Sequence, residues 1–60
     1  MIQFKDTRGN RWVFITANIS VIYCTAQDQE GISNVSITTT NDNVYSFAIN
    51  WTDADAVRER

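Results

Sequence analysis

The chain has 60 residues with one cysteine, no histidine and no proline, and five Lys/Arg against seven Asp/Glu give a net charge of −2. That length supports one domain, which buries only about 60% of the surface its unfolded chain exposes. The lone thiol excludes an internal disulfide, the lack of histidine excludes the usual zinc sites and any Ser–His or Cys–His nucleophile, and the acidic balance argues against broad nucleic-acid binding.

Met1-Ile2-Gln3-Phe4-Lys5-Asp6 lacks the charged lead and apolar stretch of a secretory signal. No apolar run approaches the ~20 residues of a membrane span. With a single thiol these features fit a reducing cytoplasm and no membrane contact. Residues 2–5 alternate apolar and polar, as in a half-buried strand. Residues 6–10 form a turn in which Gly9 is free to take positive φ. Residues 11–15, Arg-Trp-Val-Phe-Ile, read as a strand buried on both faces, or on one with a partner covering the other. The first two strands therefore form a hairpin.

After a short break at 16–18, residues 19–24 are strand-like, with Ile19, Val21 and Tyr23 expected on one face. The polar stretch 25–33 reads as an exposed loop. Residues 34–40 alternate, placing Val35 and Ile37 inward and Ser36, Thr38 and Thr40 outward. Asn41-Asp42-Asn43 suits a tight turn, and residues 44–49 return with Tyr45, Phe47 and Ile49 on the core face. The period then changes. Thr52 is a good helix N-cap, Asp53 and Asp55 suit the first turn, and Trp51 can staple the start. Ala54 and Val57, three apart, share a face, and Arg58 and Arg60 suit the C-terminal end. So short a helix must dock on the sheet or on another chain. The expected fold is mainly β with some α: an antiparallel sheet or small barrel-like roll of two hairpins and a linking strand, closed by one short C-terminal helix.

Candidate chemistry is sparse. Cys24 reads as a small hydrophobe at a strand end. Asp53 and Asp55 stand two apart at a helix start and point in different directions, while Asp28 and Glu30 belong to a solvated loop. Asn41-Asp42-Asn43 lacks the central glycine and closing glutamate of a calcium loop. We therefore expect no catalytic residue, no metal and no cofactor. Arg8 and Arg11 flank Gly9 beside Trp12, a grouping that can clamp an anionic or planar group by hydrogen bonds and stacking. Trp51 can serve as an interface anchor, and Arg58 adds a basic group at the far end.

Met1-Ile2, Arg8-Gly9-Asn10, Val35-Ser36-Ile37-Thr38, Val44-Tyr45-Ser46-Phe47 and the acidic start at 53–57 together give a layout that resembles the small flagellum-associated proteins of the FlbD family. The resemblance covers most of the chain and implies a hairpin–hairpin–helix module, not a flagellar role. The sequence departs from that pattern in its long 25–33 loop and in Asn43, which stands where a turn glycine is expected.

These features point to a non-catalytic binding module. Lacking disulfide and metal, so small a domain is expected to self-associate, and the nearly uncharged outer face of the second hairpin, with Ser36, Thr38, Thr40 and Ser46, leaves it open to pairing. The expected partner is a protein, as for a regulatory subunit or phage-type inhibitor. The alternatives are an anionic, nucleotide-like small molecule held between chains by Arg8, Arg11 and Trp51, and a nucleic-acid contact through the basic hairpin.

Overall fold

A computed structural model describes residues 1–58, Arg58 by its backbone alone. Five strands fall into two antiparallel sheets. Strands β1 (Ile2–Lys5) and β2 (Arg11–Phe14) form the first, and β3 (Ile19–Cys24), β4 (Ile32–Thr39) and β5 (Val44–Asn50) form the second as a meander. A 3-10 turn at Thr16–Asn18 links the sheets, and a second, Trp51–Ala54, leads into the single α-helical turn α1 (Asp55–Arg58). The chain is thus mainly β with a short C-terminal helix, and its sheets do not close into a barrel.

All three hairpins turn in the same way. At the first, the Asp6 N–H donates to the Asn10 carbonyl (2.9 Å) and the Gly9 N–H donates to the Asp6 carbonyl (3.0 Å). Asp28 with Ile32 and Gly31, and Thr39 with Asn43 and Asp42, repeat both bonds. This is a type I turn followed by a left-handed residue. That residue is Gly9 (φ 85°), Gly31 (φ 78°) and Asp42 (φ 66°) in turn. Asp6 Oδ1 accepts the N–H groups of Arg8 and Asn10, and Asp28 Oδ1 accepts those of Glu30 and Ile32. The left-handed position in the third turn therefore falls on Asp42, not on Asn43. Most of the expected 25–33 loop is likewise a hairpin end: β4 already begins at Ile32, and Ser33 is buried.

The core joins both sheets and the helix. Ile2 and Phe4 come from β1, Val35 and Ile37 from β4, Phe47 and Ile49 from β5, and Ala54 and Val57 from the C-terminal turns. Ala54 and Val57 share the buried face as their spacing implies. Thr52, however, lies inside the 3-10 turn, whose N-terminal flank at Asn50 has no side-chain cap. Two faces differ from expectation. β2 is covered on one side only: Trp12 and Phe14 are half-buried, while Val13 and Ile15 remain 50% and 61% exposed. In β3 a register shift between Ile19 and Val21 reverses the alternation, so Ile19, Ile22 and Cys24 pack on the core and Val21 and Tyr23 face outward. A bulge adds one residue and flips every side chain after it.

Candidate functional site

Two seams separate the sheets. Along the first, between β1 and β3, α1 packs on both strands. The second lies between β2 and β5 and is bridged at one end, where the Thr7 N–H donates to the Ala48 carbonyl at 2.9 Å. Beyond that bond the two strands are unpaired, and only their side chains meet. Trp12 lies 4.6 Å from Phe47 and Phe14 lies 5.6 Å from Tyr45, centroid to centroid. Phe4 supports this floor from below at 5.1 Å from Phe47 in an edge-to-face contact. Five aromatic rings thus line one junction, and edge contacts of this kind add to their burial. Tyr45, expected in the core, sits at its rim with 38% of its surface exposed.

The seam is hollow along its length. An open cavity of about 540 Å³ is lined by Arg8, Asn10, Trp12, Tyr45 and Ser46, among others. A second, of about 320 Å³, runs on past Phe14, Ile15 and Thr39 and shares Trp12 and Tyr45 with the first.

Both walls are unsatisfied strand edges. Antiparallel ladders alternate between residues that bond inward and residues whose N–H and C=O face away. The Thr39–Asn43 bond fixes this alternation on β5, so Val44, Ser46 and Ala48 aim their backbone groups into the seam. The Thr7–Ala48 bond uses one of those groups, as the alternation requires. By the same rule Arg11 and Val13 aim theirs outward from β2.

Asp6 organises the end of the seam. Its Oδ2 accepts the Trp12 indole N–H at 2.8 Å, and its Oδ1 accepts two backbone N–H groups at 2.9 Å. The bond from Trp12 holds its pKa below the usual carboxylate value; burial opposes this, and the backbone N–H groups of Asn10 and Arg8 reinforce it. With three donors on it, Asp6 has little capacity left for a ligand. The Arg8 guanidinium, by contrast, makes no ion pair among the described residues. Asp6, which stays ionised, and Arg8 both line the larger cavity, so its charge is mixed, and the Arg8 guanidinium is the group with donors to spare for a ligand.

Of the residues singled out in the sequence, the seam brings together Arg8 and Trp12. Arg11 does not join them: it pairs across the hairpin with Lys5 on the outer face of the sheet. Trp51 is half-buried at the corner after β5, where its backbone N–H donates to the Gly31 carbonyl at 2.8 Å, and it does not line either seam cavity. The Arg58 side chain, like Arg60, lies outside the described residues. Cys24 is half-buried, with its thiol 3.5 Å from the Thr25 carbonyl. Among the described residues no three His, Cys, Asp or Glu side chains cluster as a metal site would require, and no helix is long and apolar enough to cross a membrane.

Sequence reasoning missed Asp6 as the residue that positions Trp12. The signal was present: each of the chain's two glycines follows an aspartate by three residues, Asp6 to Gly9 and Asp28 to Gly31. Compared with protein families, with curated proteins and with solved structures, the chain matches none.

Proposed function

We propose that this chain is a non-catalytic binding module, and that the β2–β5 seam takes an extended, acidic segment of a protein partner as an added strand. The observation that carries this reading is the pairing of two unsatisfied strand edges with an aromatic floor and an arginine that has no ion-pair partner among the described residues. Strand addition uses the backbone for affinity and alternate side chains for specificity. Here the backbone groups of Val44 and Ser46 would bond the incoming strand. Trp12 and Tyr45 would receive an apolar side chain, and Arg8 a carboxylate.

The test is a random-peptide display selection on the purified protein, followed by calorimetric titration of the selected peptides. Selected sequences should place an acidic residue near an apolar one. Arg8→Ala should weaken binding about tenfold or more, since a charge-assisted hydrogen bond contributes ~1.5–3 kcal/mol. Ser46→Pro should abolish binding, because it removes an N–H that faces the seam and no ladder bond. Full affinity in both variants, each with an unchanged far-UV spectrum, would refute the proposal.

A second reading has one specific support: Arg8 and Trp12 share a cavity of about 540 Å³, the size of a small-molecule site. An anionic planar ligand would stack on Trp12 and bond Arg8. A panel of nucleotides screened by thermal shift separates the two. A nucleotide that raises Tm in the wild type and in Ser46→Pro, but not in Arg8→Ala, favours the small molecule.

A further inference from the structure

The seam differs chemically from one end to the other. At the bridged end stand three cations, Arg8 in the turn and Lys5 and Arg11 on the two strands beside it. The carboxylate among them, Asp6, is occupied by its three N–H donors. Past the aromatic middle the seam opens into a further cavity of about 320 Å³, which shares Asn18, Thr39 and Tyr45 with the one before it. Thr40, Asn41 and Asn43 complete its lining, so this end offers amides and hydroxyls without a cation, and Asp42 belongs to the turn that forms it. Asp28 and Glu30 lie in the β3–β4 turn and Asp53 and Asp55 in the C-terminal turns, and none of the four lines a seam cavity.

Arg11 also carries a repulsion that the free chain leaves in place. Lys5 and Arg11 are direct cross-strand partners. Because the Arg11 backbone aims out of the hairpin, theirs is the closer, non-hydrogen-bonded kind of pair. Like charges so placed destabilise a sheet, and neither has an ion-pair partner among the described residues. A carboxylate brought beside Arg11 relieves this, whereas the same carboxylate at the far end meets Asp42.

Strand polarity turns that gradient into an order of residues. Trp12 faces Phe47 and Phe14 faces Tyr45, so β2 and β5 run antiparallel across the seam and Arg11 stands level with Ala48. A strand between them is antiparallel to one wall and parallel to the other. Antiparallel pairing is the more stable per residue, and β5, with seven residues against four in β2, is the longer wall. An added strand therefore runs against β5, from the cationic end to the amide end. Residues directly opposite each other share a face. The one opposite Ala48 points outward with Ala48 and Arg11, and the one opposite Tyr45 points inward to the aromatic floor.

We propose that the seam accepts its partner in one direction, with an acidic residue opposite Ala48 and beside Arg11, an apolar residue three positions later opposite Tyr45, and uncharged polar residues after it. This rests on the strand-addition reading of the seam and fixes the order in which the partner presents its groups. Arg11 thereby joins Arg8 in recognition, from the outer face.

The probes are the tightest peptide from the display selection and the same peptide with its sequence reversed, both blocked at their ends so that composition and charge are equal. Calorimetric titration should find the reversed peptide weaker by about tenfold or more. Arg11→Glu should weaken the selected peptide by about as much, and exchanging the peptide's acid for lysine should restore its affinity for that variant. Arg11→Glu sets opposite charges across the hairpin from Lys5, so it keeps the fold, as far-UV circular dichroism verifies. A peptide that needs the Ser46 N–H but binds equally well reversed, or ignores Arg11→Glu, leaves the seam reading standing and overturns this one. If no peptide is selected, or if Ser46→Pro and Arg8→Ala both keep full affinity, the seam reading falls and the direction falls with it.

Discussion

Gly31→Ala should destabilise the protein through backbone conformation alone. Gly31 has φ 78°, and a Cβ built there meets nothing nearer than Gln27 Oε1 at 3.9 Å, so no crowding enters. The left-handed region costs an ordinary L-residue roughly 1–2 kcal/mol. Replacing glycine also removes freedom from the unfolded chain, which returns ~0.4–1 kcal/mol. The net loss is about 1 kcal/mol, which lowers Tm by about 4–8 °C in a domain this small. The third turn supplies the control, because Asp42 already holds φ 66° at the matching position. Gly31→Asn should therefore lose about half as much as Gly31→Ala, since short polar side chains tolerate this region, and Asp42→Gly should be neutral or slightly stabilising. Urea and thermal unfolding of the three variants give the order. If Gly31→Ala is no less stable than Gly31→Asn, left-handed strain is not what fixes these turns. Because the Gly31 carbonyl accepts the Trp51 N–H, amide exchange at Trp51 should quicken in step with the loss.

Two further outcomes follow from buried polar groups. Asp6→Asn keeps the shape but loses the charge that three N–H donors address, so Tm should fall and the Trp12 indole proton should exchange faster. The wild-type carboxylate has a depressed pKa. Its stabilisation is therefore complete above the ordinary carboxylate value and is lost as pH falls from there through the lower folded value. The acid limb of stability against pH should flatten in Asp6→Asn, and an unaltered limb would remove Asp6 from its cause. Ser33 is fully buried and its hydroxyl has no hydrogen-bond partner among the described residues. Ser33→Ala should raise stability by about 1 kcal/mol, as relief of an unsatisfied hydroxyl implies; a loss measured by urea unfolding would show that the hydroxyl is satisfied in solution.

Local pattern was enough to place most strands and the shared face of the short helix, whereas packing decided that this face docks on the chain's own sheets. Period-two alternation marks residues 2–5, 34–39 and 44–49, and the three-residue spacing of Ala54 and Val57 marks the helical face that the core covers. These are local properties, legible because each strand has one wet face and one dry one. Asp6 and its glycine were legible too, as one of two Asp-x-x-Gly turns, although the reach of its carboxylate to Trp12 was not. What tertiary structure alone decided is phase and distance. One extra residue between Ile19 and Val21 put Val21 and Tyr23 on the outer face, opposite the Ile19 with which they were expected to share one, and composition gives no sign of a bulge that pairing creates. Strand parity also separated Arg11 from Trp12, although they are neighbours in sequence, while Arg8 reached Trp12 through the turn. The seam exists only because two sheets pack with their edges apart, and a distance between edges is written in the packing of Phe4, Trp12, Phe14 and Phe47 rather than in any one segment.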